Sequence, residues 1–80
     1  MDPQLRQRIA INPKVMVGKP VIKGTRIPVE LIVRMVGQGI PEKEILEEYP
    51  VLKPEDIRAA VTYAAQVLAN EDVFPINIPA

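Results

Sequence analysis

The sequence predicts a mainly α-helical protein, in which a three-helix, helix-turn-helix bundle follows a short β-hairpin arm. Three observations support this fold class. Apolar residues recur at helical spacing only after residue 28, prolines stand where three helical segments begin, and short apolar runs separated by turn residues fill the first 27 residues. Any small three-helix bundle would produce the same pattern, so helix-turn-helix is the more specific of two interpretations.

All 80 residues are expected to form one domain, because the chain is too short for two cores. Its parts are an N-terminal β arm over 1–27, the bundle over 28–70 and an extended C-terminal tail over 71–80. A chain of this size buries only about 60% of its unfolded surface. We therefore expect a homodimer or another obligate partner.

The arm contains the stretch GKPVIKGTRIPV, residues 18–29. Val21-Ile22 before Lys23-Gly24, and Thr25-Arg26-Ile27 after it, predict a tight hairpin in which Gly24 supplies a positive φ. A nucleotide-binding loop would need lysine directly after its second glycine, and this stretch lacks that spacing.

A proline opens each helical segment: Pro28, Pro41 and Pro54. We expect the first helix to end at Gly37 or Gly39 and the second at Glu48, before Pro50. The apolar residues expected to face the core are Val29, Ile32, Val33 and Val36 in the first helix, Ile40, Ile45, Leu46 and Tyr49 in the second, and Ile57, Ala60, Val61, Ala64, Val67 and Leu68 in the third.

The residue inventory argues against an enzyme, because the chain has no histidine, cysteine or serine. The usual general base, nucleophiles and zinc ligands are thereby missing, and we expect no cofactor and no metal. Glu44, Glu47 and Glu48 share a helix face and could suggest a metal-ion site, but a solvated face is the simpler interpretation. Tyr63 is expected to pack at the edge of the bundle rather than to act as a phenol.

Membrane association is not expected either, since no apolar run reaches the roughly 18 residues of a membrane-spanning helix. The first residues, MDPQLRQR, lack the apolar segment of a signal peptide. A cytoplasmic protein is the prediction.

Charge divides unevenly although the net charge is zero. Residues 1–28 contain six cationic side chains and one carboxylate, a net charge of +5. Residues 29–80 contain four cationic side chains and nine carboxylates, a net charge of −5. Such asymmetry indicates an electrostatic partner or the association of opposite faces. Lys19, Lys23 and Arg26 could follow a nucleic-acid backbone, or they could be solvated or dock on the acidic half of a second subunit.

The third helix is the expected reading helix. Arg58 could pair with guanine, Thr62 could touch a thymine methyl group, and Lys53 could point at phosphate from the helix start. An ion pair between Glu55 and Arg58 is the structural alternative. Glu55 and Asp56 in the first turn would repel phosphate and argue against DNA binding.

The tail combines apolar residues with prolines, and its candidate contact residues are Val73, Phe74, Ile76 and Ile78. As an extended segment it could add to a partner's groove or sheet edge. It could equally fold back over its own bundle or pair with the hairpin of a second subunit.

Two motifs, G-x-P-V-I-x-G-T-R-I-P-V and Y-P-x-L-x-x-E-D-I-x-A-A, resemble the domain-of-unknown-function 433 family over about residues 9–68. The matching positions are Gly18, Pro20, Gly24, Thr25, Arg26, Pro28, Tyr49, Pro50, Leu52, Glu55, Asp56 and Ile57. The resemblance implies a homeodomain-like helix-turn-helix domain behind a β arm. It also implies an antitoxin of a type II toxin–antitoxin pair, encoded beside a PIN-like RNase toxin. The departures are Lys23, where arginine is expected, and Lys53, where threonine or serine would cap the third helix.

These lines together predict a small homodimeric antitoxin. It would bind operator double-stranded DNA through the basic arm and Arg58, and the RNase through its acidic C-terminal part. The alternative is a homodimeric protein-interaction module without DNA binding.

Overall fold

The computed structural model describes residues 1–14 and 16–70. This part of the chain is mainly helical and carries a small two-stranded antiparallel sheet, which confirms the prediction of a mainly α-helical chain with a small β arm. In chain order its elements are α1 (Pro3–Arg6), β1 (Ile9–Ile11), a 3-10 turn (Met16–Gly18), β2 (Pro20–Ile22), α2 (Val29–Gly37), α3 (Glu42–Glu48) and α4 (Pro54–Ala69). No helix in the described part is long and apolar enough to cross a membrane.

The observed sheet differs in part from the predicted hairpin. Strand β2 pairs with β1, which brings Ile9 opposite Ile22, and no strand forms over residues 25–27. After the turn the chain makes one isolated bridge, between Val21 and Pro28. The N–H of Ile22 also donates to the carbonyl oxygen of Ile27 at 3.0 Å, so the predicted antiparallel return forms in part. The regular strand partner of β2 is β1 instead, because this pairing buries Ile9 and Ile22 together.

Thr25 provides the hydrogen bonds that replace the missing strand. Its hydroxyl donates to the carbonyl oxygen of Ile22 at 2.7 Å and accepts from the backbone N–H of Ile27 at 3.0 Å. The N–H of Thr25 also donates to Ile22, and Gly24 takes the predicted positive φ of 81°. The K-G-T sequence is therefore a turn closed by a side chain.

Replacing Thr25 by valine should lower the free energy of unfolding by about 1–2 kcal/mol, because two hydrogen bonds of a half-buried hydroxyl are lost. Urea denaturation of the purified variant measures the loss. Thr25→Ser keeps the hydroxyl and should recover most of it. An unchanged stability in Thr25→Val together with a loss in Thr25→Ser would show that the methyl group, rather than the hydroxyl, stabilises this turn.

The helix boundaries follow the proline signals closely. Pro28 and Pro41 cap the starts of α2 and α3, and Pro54 is the first residue of α4. Helix α2 ends at Gly37, and Gly39 has a φ of 80° just beyond it. Local propensity and the missing proline N–H therefore determine these bounds.

Helix α1 was not predicted. Asp2 caps it by accepting the N–H of Gln4 at 2.8 Å. The segment packs on α4, where the guanidinium of Arg6 lies 5.8 Å from the ring centroid of Tyr63 and donates to the carbonyl oxygen of Ile9. Tyr63 is half-buried against the core, as expected of a residue that packs at the edge of the bundle.

The core lies between the sheet, α2, α3 and the first half of α4. Ile32 and Ile45 are its fully buried large side chains. The expected inward set is partly wrong: Met35 is buried in place of Val36, and three apolar residues of α4 from its midpoint onward are exposed, namely Val61, Val67 and Leu68. The nine residues of α2 cannot cover the whole sixteen-residue helix α4, so α4 extends beyond the core.

Candidate nucleic-acid interface

An ion pair joins the N-terminal arm to the start of α4. The Arg8 guanidinium donates to a carboxylate oxygen of Asp56 at 3.0 Å, and it lies 3.9 Å from Glu55. Arg8 directly precedes β1, and its carbonyl oxygen accepts the N–H of Lys23 at 2.8 Å. The sheet therefore brings the arm, the turn at Lys23 and the first turn of α4 together.

Asp56 also supplies the helix cap that Lys53 cannot. Its second carboxylate oxygen accepts the backbone N–H of Lys53 at 2.9 Å, which satisfies the amide at the cap position. Its side chain is only 8% exposed. The sequence interpretation of Asp56 as a charge repelling phosphate is therefore corrected: Arg8 neutralises this carboxylate inside the fold.

Two adjoining clefts open beside this ion pair. One, of about 560 Å³, is lined by Arg8, Lys23, Glu55 and Arg58, with Asp2, Gln4, Leu5 and Gln7 from the arm. The other, of about 310 Å³, shares Arg8 and Lys23 and adds Lys53. Three predicted DNA contacts, Lys23, Lys53 and Arg58, thus meet around the N-terminal end of α4, and all three are exposed. We call this set the basic cleft.

The other predicted contacts lie elsewhere. Lys19 binds Glu30 on α2, with 2.9 Å between the ammonium nitrogen and the carboxylate oxygen. Arg26 lines a separate cleft beside Ala10 and Asn12. Thr62 is half-buried one helical turn after Arg58 and shares its face of α4. In the described part of the chain the expected Glu55–Arg58 ion pair is absent, since Glu55 faces Arg8 instead.

The hydrogen bond from Lys19, and then its charge, lower the pKa of Glu30 below its ordinary value. A lowered pKa stabilises the fold above the ordinary glutamate pKa, and this contribution is lost as the pH falls through the lowered value. Lys19→Ala should return the pKa of Glu30 upward, in a carboxyl-carbon NMR titration. Lys14→Ala is the matched control and should leave it unchanged. An unaltered pKa in Lys19→Ala would show that the two side chains do not pair in solution.

The remaining motif residues shape the backbone. Gly18 has a φ of 78° at the end of the 3-10 turn, directly before the strand that starts at Pro20. Tyr49 packs against the core, and its carbonyl oxygen accepts the N–H of Leu52 at 2.9 Å, which turns the chain at Pro50 between α3 and α4. The turn at Tyr49 connects α3 to α4, and the turn at Gly18 precedes β2.

The predicted tail contacts, Val73, Phe74, Ile76 and Ile78, lie outside the described residues. Glu44, Glu47 and Glu48 are exposed on α3, and within the described ranges no group of three potential ligands is positioned for a metal ion. Sequence reasoning missed the role of Arg8. The usable signal concerned Asp56: it is a carboxylate at the third position of α4, and the N-cap residue, Lys53, has no side chain that can cap.

The fold and the cleft define a class: a small helical domain whose two-stranded arm is tied by an ion pair to the start of its last helix. The chain belongs to the family described as "Protein of unknown function (DUF433)", whose model matches residues 9–64. It is similar to a crystal structure of a DUF433 member from Anabaena variabilis ATCC 29413, with a TM-score of 0.74 and 42% identity, over 82% of this chain and 65% of that one.

Two curated relatives are similar in sequence. "Uncharacterized protein y4eO" of Sinorhizobium fredii is 37% identical over 59 residues, which is 74% of this chain but only 27% of the relative. An uncharacterized protein of Archaeoglobus fulgidus is 66% identical over 29 residues, or 36% of this chain and 81% of the relative. The chain therefore spans about a quarter of the Sinorhizobium relative and about two thirds of the solved one.

Proposed function

We propose that this protein is a DNA-binding antitoxin of a type II toxin–antitoxin pair. It acts in the cytoplasm as a homodimeric binding protein rather than an enzyme, and it represses its own operon. In this proposal α2, α3 and α4 form a homeodomain-like helix-turn-helix unit, and α4 is the reading helix. The observation that carries the DNA-binding part is the basic cleft, Lys23, Lys53 and Arg58, at the N-terminal end of α4.

Electrostatics support DNA contact at this end of α4. In a helix-turn-helix protein the N-terminal residues of the second helix reach the base edges. Three carboxylates lie at this end: Asp56 is buried and paired with Arg8, Glu55 is half-exposed 3.9 Å from the same guanidinium, and Asp2 accepts the N–H of Gln4. Exposed cations therefore surround the helix start, where the amide dipoles also favour an anion.

Each cation has a distinct task in this proposal. Lys23 on the turn and Lys53 at the helix start contact phosphates on either side of α4. Arg58 enters the major groove and donates two hydrogen bonds to guanine, and Thr62 one turn later touches a thymine methyl group. Lys19, held by Glu30, contributes little, and Arg26 reaches phosphate only at the edge of the site.

The antitoxin part rests on the family resemblance and on the tail. We propose that residues 71–80 add as an extended segment to a PIN-like RNase, with Val73, Phe74, Ile76 and Ile78 as the apolar contacts. Glu71 and Asp72 would then face the basic groove in which an RNase binds its substrate.

DNA binding is tested by titrating the protein against the promoter duplex of its own operon at several salt concentrations. Contacts to phosphate release counterions, so log affinity should fall linearly with log salt, by about 0.9 for each phosphate contacted. An unrelated duplex should bind more weakly with a similar slope. Affinity independent of salt, or absent for both duplexes, would overturn the DNA-binding part.

The proposed association with a toxin is tested by affinity purification of the tagged chain from its native host. We expect a small nuclease in stoichiometric amount, lost when Phe74 and Ile76 are both replaced by aspartate. Recovery of the chain alone would overturn the antitoxin part and leave the DNA-binding part intact.

A second candidate is a homodimeric interaction module without DNA binding. An exposed apolar groove between α2 and α4 favours it, because such a surface suits a protein partner. The salt dependence of binding distinguishes the two candidate functions, since an apolar protein–protein association persists at salt concentrations that dissociate a protein–DNA complex.

A further inference from the structure

An apolar groove of about 410 Å³ lies between α2 and the second half of α4. Val33 forms the α2 wall, and Tyr63, Ala64, Val67 and Leu68 form the α4 wall. Leu68 is 64% exposed and Val67 is 41% exposed. Helix α4 is therefore still apolar along this face where it extends beyond the core.

Leaving these side chains in water is unfavourable by about 25 cal/mol for each Å² of apolar surface. An 80-residue chain with a small core gains proportionally more from covering them than a large domain would. The groove therefore fits a surface that is covered in the functional state.

The charged residues beside the groove indicate which partner covers it. Among the described residues that line the groove, two are charged: Glu30 and Arg34, four residues apart on α2. If a two-fold axis placed two α2 helices antiparallel, Glu30 of each copy, which also binds Lys19 of its own chain, would face Arg34 of the other. A second copy of this chain supplies both complementary charges by symmetry, whereas an unrelated partner would need a separately matched pair.

We infer that the groove is the surface through which two copies of this chain associate, α2 and the second half of α4 packing on the same elements of the partner. The inference deepens the homodimer named in the proposed function, and it rests on neither DNA nor a toxin. Arg58 and Leu68 are ten residues apart on one helix, about 15 Å along its axis. Dimerisation there leaves the basic cleft open.

The mass of the full chain in solution tests the inference, by sedimentation equilibrium over a concentration series. At about 50 µM chain we expect a dimer, because an interface with a Kd near 1 µM is then largely occupied. Leu68→Glu should raise the dimer Kd at least about 100-fold, since it buries a carboxylate in an apolar interface. Val51→Glu is the matched control: Val51 is 62% exposed but lies between α3 and α4, so the dimer should persist.

Charge reversal tests the two-fold pairing separately. Arg34→Glu should weaken the dimer, and adding Glu30→Arg to it should restore the affinity, because the cross-pairs then re-form with exchanged signs. Circular dichroism should show every variant folded, since the substituted side chains are exposed in the single chain.

A monomeric wild-type chain would overturn the inference, and the groove would then be covered by residues 71–80 or by another protein. A dimer that survives both Leu68→Glu and Arg34→Glu would also overturn it. The homodimer of the proposed function would then stand with its interface elsewhere, and the salt dependence of DNA binding would be judged on its own.

Discussion

Replacing Asp56 by alanine should lower the free energy of unfolding by about 2–4 kcal/mol. The carboxylate accepts from Arg8 at 3.0 Å and from the N–H of Lys53 at 2.9 Å, and the residue is only 5% exposed. Its loss leaves a partly buried guanidinium without its partner and the start of α4 without its cap. Domains of this size are stable by roughly 4–12 kcal/mol, so the loss is a large fraction of the total. Urea denaturation measures it.

Two controls separate charge from capping. Asp56→Asn retains an oxygen that can accept the N–H of Lys53 but cannot neutralise Arg8, so we expect about half of the loss. Glu55→Ala removes a half-exposed carboxylate 3.9 Å from Arg8 and should cost under about 1 kcal/mol. If Asp56→Ala were no more destabilising than Glu55→Ala, the ion pair would not hold the arm to α4.

Replacing Lys23 and Lys53 together by alanine should lower affinity for promoter DNA by about 10- to 100-fold at low salt. Each lysine lines the basic cleft and is exposed, and each is proposed to contact one phosphate. Two lost contacts should reduce the slope of log affinity against log salt by about 1.8. Fluorescence anisotropy with a labelled duplex, repeated at four salt concentrations, measures both quantities.

The matched control removes the same charge from outside the cleft. Lys14 and Lys43 are exposed and line neither part of the basic cleft, so their double replacement by alanine should leave the slope unchanged. Equal effects of the two double variants would assign DNA affinity to net charge alone. Arg58→Lys then tests readout: it retains the charge but loses the paired donors, so discrimination between promoter and unrelated DNA should fall while the slope stays the same.

Local signals in the sequence were sufficient to predict α2, α3 and α4, although not α1. Pro41 and Pro54 mark the starts of α3 and α4 to within one residue, and the mainly helical class follows from the apolar spacing. Prolines and periodicity act within one helical turn, so they can be interpreted without the rest of the fold. The same holds for Gly24, whose positive φ is a property of its own turn.

Contacts between distant segments could not be predicted in this way. The turn sequence correctly placed Ile27 within hydrogen-bonding distance of Ile22, but only tertiary packing selected Ile9 as its strand partner. Spacing alone assigned Val67 and Leu68 to the core, although α2 is too short to cover them, and it assigned Val36 where the structure buries Met35.

The candidate site, too, could be predicted from the sequence only in part. The sequence by itself determined which residues are cationic and that Lys53 and Arg58 flank the start of a helix. Only the tertiary structure decided that Lys23 joins them while Lys19 pairs with Glu30, and that Arg8 neutralises Asp56 across 48 positions. The physical reason is that helix signals act over three or four residues, whereas burial and charge pairing depend on where the folded chain brings remote side chains together.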